Sequence, residues 1–132
     1  MLDYHVHSDF SYDCDLPLAE SCPAAIAAGV TEIAFTDHVE HEPADPGFGA
    51  YRAEAYLRAI DEARERWGDR LTILRGIEVD FNERIADDVG RFLERYGAEY
   101  DVVIGSVHYG DDREMLFADY FATRSLDEVY AR

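Results

Sequence analysis

A regular alternation of strand-like and helix-like segments most limits what this chain can fold into. Leu2–Val6 is short, apolar and strand-like. Leu16–Ala28 reads as a helix, with Pro17 in its first turn and Gly29 at the glycine stop. Thr31–Thr36 is a β-rich run. Tyr51–Trp67 carries Ala55, Ala59, Ile60, Ala63 and Trp67 at helical spacing and stops at Gly68. Leu71–Ile77 reads as the third strand. Asn82 can cap a helix running to about Tyr96, with Gly97 as its stop. Val102–Gly105 reads as a fourth, buried strand. Ser125 can cap a last helix, with Glu128 at the capping-box position. Residues 38–51 form a long loop containing Pro43, Pro46, Gly47 and Gly49. Four consecutive β–α units imply an α/β fold with a parallel sheet and right-handed crossovers. An open doubly wound sheet and part of a (β/α) barrel both satisfy that pattern. No GxGxxG or P-loop follows the first strand, which weakens the open, nucleotide-binding option.

Composition narrows the partners. The formal net charge is −17, from 29 acids against 12 bases, and every base is arginine. Such a surface repels phosphate backbones and anionic bilayers, so neither nucleic acid nor a membrane is an expected partner. Most of these acids belong to a solvated surface, while a few suit a site for divalent cations. No apolar run approaches the ~18 residues needed to span a bilayer. The N-terminus has neither a basic nor an apolar targeting region. Cys14 and Cys22 have neither metal-motif spacing nor a disulfide framework, so reduced thiols and a cytoplasmic location are expected. Nothing in the sequence sets an oligomeric state.

The chemistry-bearing residues collect at the strand ends. The first strand runs into Asp3-Tyr4-His5-Val6-His7 and the second into Thr36-Asp37-His38. The third runs into Gly76-Ile77-Glu78-Val79-Asp80 and the fourth into Gly105-Ser106-Val107-His108. In parallel α/β folds this carboxyl edge is where ligands bind. His5 and His7, at i and i+2, share one face of a strand. Of five histidines, four fall at these ends, which independent surface placement rarely produces; His41, in the long loop, reads as an ordinary polar residue. Asp13 is the favoured extra ligand from the loop after His7, in competition with Asp9 and Asp15, of which Asp15 can instead cap the first helix. Asp3 and Asp37 adjoin the histidines and could accept their second ring N–H. Mixed imidazole and carboxylate donors without thiolate suit Zn²⁺, Mn²⁺ or Fe²⁺. Clustered cations of this kind support hydrolysis, by activating water and clamping phosphoryl oxygens.

The ordered phrases DYHVHS, FTDH, GIEVDF and GSVHY resemble the PHP (polymerase and histidinol phosphatase) superfamily. SYDCDLP, GIEVDF and IGSVHY are most similar to its monofunctional histidinol-phosphatase branch. The resemblance runs from Asp3 to about Tyr130. It implies the N-terminal part of a distorted (β/α)₇ TIM-like barrel with up to three metal ions at the carboxyl ends of its strands. It implies metal-ligand roles for His5, His7, Asp13, His38, Glu78 and His108, with Glu78 as the bridging carboxylate and no protein nucleophile. The family pattern continues with a later histidine and an Asp-x-His pair that residues 1–132 do not contain, and a barrel of this type needs about 250 residues. Residues 1–132 therefore read as one PHP domain truncated at its C-terminal side. The implied reaction is hydrolysis of a small phosphorylated substrate, L-histidinol phosphate, in histidine biosynthesis. Action on another phosphomonoester or nucleotide, or an inactive metal-binding fragment, are the alternatives.

Overall fold

A single four-stranded parallel sheet in the order β1-β2-β3-β4 forms the frame. The computed structural model describes residues 1–110, 113–115, 118–122, 124–125 and 127–128. The strands are β1 (Leu2–Val6), β2 (Glu32–Val39), β3 (Thr72–Asp80) and β4 (Val102–Ser106). Helices α1 (Leu18–Ala27), α2 (Ala53–Trp67) and α3 (Ala86–Tyr96) connect them. Every strand lies beside its predecessor in sequence. A doubly wound sheet reverses direction from its first strand, so this order selects the wall of a barrel. A short hairpin, β5 (Tyr109–Gly110) with β6 (Arg113–Glu114), and α4 (Ala118–Ala122) follow.

Strand parity separates the two faces of this wall. Along β2, Ile33, Phe35 and Val39 alternate with Ala34, Thr36 and His38. The first set joins the core beneath the helices. Ile33, Phe35, Leu71 and Ile73 pack against Leu18 and Cys22 of α1 and against Tyr56, Ile60 and Ala63 of α2. Val39, Ile77 and Val79 pack with Ile85 and Val89 at the start of α3. Each fully buried aliphatic or aromatic side chain here stabilises the fold by ~1.5–3 kcal/mol. The second set, with Glu78 on β3, lines the opposite face.

β1 reaches the right face only through an irregularity. Asp3 pairs with Ile33, but Val6 pairs with Phe35, so β1 carries one extra residue between these positions. In unbroken register His5 would lie opposite Phe35 and face the helices. The bulge reverses that parity, sending Val6 to the core and His5 and His7 to the face of His38 and Glu78.

The element boundaries differ from the sequence reading in instructive ways. β2 and β3 extend through His38 and Glu78, so these residues stand on strands rather than after them. β4, expected to be buried, alternates between half-buried and exposed, with Val103 46% exposed, because among the described residues it pairs with β3 alone. Helix α1 begins after Pro17, and its Leu18 N–H donates to Asp9 Oδ1 (3.1 Å); Asp15 does not cap it. Gly29, with φ of +80°, is the expected left-handed stop. Asn82 caps only a turn, accepting from the Arg84 N–H, and α3 starts later. Ser125 and Glu128 make their reciprocal capping contacts, while the rest of that helix lies outside the described residues.

Tyr56 locks α2 to the sheet. It is fully buried, and its hydroxyl sits 2.8 Å from both Phe35 O and Gly76 O and accepts from the Gly76 N–H (3.2 Å). Gly76 has no room for a side chain: a Cβ would fall 2.5 Å from Phe35 O. Removing the hydroxyl strands buried polar groups, so Tyr56→Phe is expected to cost ~1–3 kcal/mol in urea unfolding. Gly76→Ala, which forces backbone apart, is expected to cost more; equal stability for both variants and the parent chain would refute this packing account.

Candidate metal centre

Four imidazoles converge on one carboxylate. Glu78 on β3 is buried, and its Oε2 lies 2.9 Å from His5 Nε2, 3.1 Å from His7 Nε2 and 3.7 Å from His38 Nε2. Its Oε1 lies 3.3 Å from His108 Nε2 and accepts from the Ser106 hydroxyl. Asp13 closes the other side, with Oδ2 3.1 Å from His7 Nδ1 and 3.5 Å from His38 Nε2. The imidazole pairs His5–His7, His7–His38 and His38–His108 stand 5.2, 4.5 and 5.0 Å apart between centroids. All six residues expected from the sequence thus meet at the carboxyl edge of the sheet.

Local chain geometry explains how each arrives. Asp37, wholly buried, accepts from the Ser8 N–H (2.6 Å) and the Ser8 hydroxyl, and the His38 N–H donates to Ser11 Oγ (2.7 Å). These bonds fasten the loop that carries Asp13. Of the three competing acids, all exposed, Asp9 is occupied at α1, Asp15 belongs to none of the donor groups, and Asp13 faces the cluster. Asp80, also buried, accepts from the His41 and Glu42 N–H groups (2.8 and 3.0 Å) and anchors the loop after β2. Within that loop, a Cβ at Gly47 would fall 2.3 Å from Tyr12 Cδ1, so glycine leaves space for the Tyr12 ring beside His38.

Two expectations need correction. Asp3 accepts from the backbone N–H of His5 (3.4 Å), because the β1 bulge turns the two side chains to different faces. Asp37 accepts from Ser8 because its strand parity points it away from His38. The carboxylate that meets the Nδ1 atoms of His38 and His108 is Glu40, which sequence reasoning missed. Its Oε1 lies 2.7 Å from His38 Nδ1 and 2.9 Å from His108 Nδ1. These contacts are close but off the hydrogen-bond axis, since neither Glu40 oxygen has a well-aligned partner. The available signal was its i+2 placement after His38. Ser106 was likewise passed over, although it stands two residues before His108.

The electrostatics follow from this crowding. Burial by itself would raise the Glu78 carboxyl, but hydrogen bonds from His108, His7, Ser106 and His5 outweigh it and hold the group well below the usual carboxylate range. Burial likewise opposes ionisation of Glu40, and His108 and His38 bring it down to about 2. The hydrogen bond to Glu78, then Asp13, raises His7 to about 9. Glu40, then Glu78, raises His108 to about 10. Burial, then neighbouring acids, lifts the Tyr12 phenol to about 12.

The donors form three groups, His5/His7/Glu78, His7/Asp13/His38 and His38/Glu78/His108, each with its ligand atoms within 4.8 Å of one another. They are nitrogen and carboxylate donors with no thiolate; Cys14 Sγ instead lies 3.5 Å from His7 O. That set fits borderline divalent cations. The groups line a cavity of about 270 Å³ that also includes Tyr12, Asp45 and Glu114. A larger cavity of about 540 Å³, beside His41, Phe48 and Arg84, contains none of these donor groups.

Comparison with known proteins decides the family. A family model described as PHP domain matches residues 3–132. The chain belongs to the PHP domain family. It is 31% identical over 131 residues to a histidinol-phosphatase of Lactococcus lactis, covering 99% of this chain and 48% of that protein. A Bacillus subtilis histidinol-phosphatase is 28% identical over 128 residues, covering 89% of this chain and 48% of that protein. The PHP chain thus spans about half the length of the curated relatives it matches. The crystal structure of the Lactococcus lactis histidinol phosphate phosphatase, complexed with zinc, L-histidinol and phosphate, superposes with a TM-score of 0.83 at 29% identity. That match covers 96% of this chain and 48% of that one. A putative histidinol phosphatase of Listeria monocytogenes shares the fold, with a TM-score of 0.75 at 20% identity, covering 83% of this chain and 46% of that one. Four parallel strands and their helices thus form a curled half-barrel matching the N-terminal part of a TIM-like PHP barrel.

A proton test follows for the metal-free chain. His7 and His108 titrate above their ordinary value when folded, so their contribution is complete below about pH 6.5 and is lost as pH rises through about 9 to 10. Urea unfolding in chelator is expected to show lower stability at pH 10 than at pH 7. Glu78→Gln is expected to flatten that slope; an unchanged slope would contradict the assignment of the shifts.

Proposed function

We propose that this PHP chain contributes the N-terminal part of the metal centre of a metal-dependent phosphomonoester hydrolase whose substrate is L-histidinol phosphate. The observation that carries this reading is the convergence of His5, His7, His38 and His108 on Glu78, with Asp13 against His7 and His38. Relatives named histidinol-phosphatase, one solved with zinc, L-histidinol and phosphate, support the choice of substrate.

The three donor groups would hold up to three zinc, manganese or iron ions, with Glu78 shared between two groups and His7 and His38 likewise shared. Divalent cations so held supply Lewis acidity, lowering the pKa of water and neutralising phosphoryl charge. The chain's own residues perform the positioning. The β1 bulge aims His5 and His7, the Asp37–Ser8 bonds fix the loop of Asp13, and Ser106 orients Glu78. No side chain here acts as nucleophile, and the cavity beside the donors gives a small phosphate ester access. A biosynthetic role of this kind is in keeping with a cytoplasmic location. No helix among the described residues is long and apolar enough to cross a membrane.

The natural polypeptide carrying this chain is expected to release phosphate from histidinol phosphate in the presence of Mn²⁺, Fe²⁺ or Zn²⁺, and to lose that activity in chelator. No metal-dependent release would sink the substrate assignment, and faster turnover of a nucleotide would favour a different phosphoesterase. The 132-residue chain by itself is expected to bind metal more weakly and to turn over little substrate. His5→Ala and Glu78→Ala are expected to reduce metal affinity by more than the ~10–100-fold typical of changes beside the ligands. Unchanged metal content in both variants would refute the ligand roles.

A further inference from the structure

Glu40 carries a role that the phosphatase reading does not assign. Its side chain is wholly buried just beyond the end of β2, two residues after His38. A buried carboxylate is costly unless charge or hydrogen bonding compensates it. Among the described residues, the ion-pair partners of Glu40 are two imidazoles and no arginine. Oε1 approaches His38 Nδ1 at 2.7 Å and His108 Nδ1 at 2.9 Å as ion-pair contacts, and among the described residues neither Glu40 oxygen has an aligned hydrogen-bond partner. The opposite ring nitrogens turn toward the donor cluster: His38 Nε2 is 3.5 Å from Asp13 Oδ2, and His108 Nε2 is 3.3 Å from Glu78 Oε1. Glu40 itself belongs to none of the three donor groups.

We propose that Glu40 is a positioning residue: one buried carboxylate that holds His38 and His108 by their Nδ1 atoms and aims both Nε2 atoms at the cations. The proposal rests on the metal centre argued above. An imidazole whose Nδ1–H faces a carboxylate keeps its proton there and presents the Nε2 lone pair, and the negative charge strengthens it as a ligand. Among the described residues, the other two imidazoles of the cluster lack such a dedicated partner. His7 Nδ1 faces Asp13, which is itself a donor, and His5 meets Glu78 through Nε2. Glu40 also ties the end of β2 to the segment after β4, across the intervening β3. Because His38 belongs to two of the three groups, a loss of aim there reaches more than one cation.

The test compares the wild-type chain with Glu40→Gln, Glu40→Asp and the exposed control Glu65→Gln. Zinc affinity is read by chelator competition, and the histidine ring nitrogens by ¹⁵N NMR with and without zinc. Glu40→Gln is expected to lower zinc affinity ~10–100-fold. It should shift the Nδ1 signals of His38 and His108 while sparing those of His5. Glu40→Asp, which keeps the charge with a shorter reach, should fall between, and Glu65→Gln should match wild type. Wild-type zinc affinity in Glu40→Gln, or unshifted His38 and His108 signals, would overturn the proposal. A wild-type chain that takes up no zinc would refute the metal centre instead. The metal-free ring signals then decide the role of Glu40, and unshifted signals in Glu40→Asp overturn it even where Glu40→Gln does not fold.

Discussion

An ionised carboxylate held in a buried position by imidazoles is the constraint on which this half-barrel depends. Glu78 can stay charged there only because His5, His7, His108 and Ser106 all turn toward it. That requirement reaches back into the fold. His5 and His7 are available only because β1 carries an extra residue, and His38 because β2 stays in register with β3 through Val39. The helices on the other face keep those strands in place, with Tyr56 fastening α2 between Phe35 and Gly76. Packing on one face of the sheet thus maintains charge geometry on the other.

Loops complete the site through buried acids that touch no cation site themselves. Asp37 and Asp80 each spend their carboxylate on backbone N–H groups, one on the loop of Asp13 and the other on the loop after Glu40. These are charge-assisted bonds inside the protein, stronger than neutral ones and costly to break. The acidity of the sequence therefore has three destinations: solvated surface, loop anchors and donor cluster. Composition alone does not separate them.

Much of this was legible in the chain. Alternating periods of two and three to four residues gave the order of strands and helices, and the strand-end histidines with Glu78 marked the site. Asp13 was favoured over Asp9 and Asp15 in the sequence, and the folded loop adds the physical reason, since Asp9 is occupied at α1. Asp3 and Asp37 were misread because proximity in sequence was taken for proximity of side chains. A bulge in β1 and strand parity in β2 turn them elsewhere. Glu40 was missed for the complementary reason. Its partner His108 lies 68 positions away, and only the β2–β3–β4 order brings them together. The exposure of β4 depends on what lies beside it, which local pattern does not encode.

The central claim is that these six side chains form a cation site at the carboxyl edge of the sheet. Anomalous X-ray diffraction from crystals of the zinc-loaded protein measures this most directly. Peaks are predicted among His5, His7 and Glu78, among His7, Asp13 and His38, or among His38, Glu78 and His108. Zinc bound only elsewhere on the acidic surface, with these donors bare at saturating metal, would contradict it.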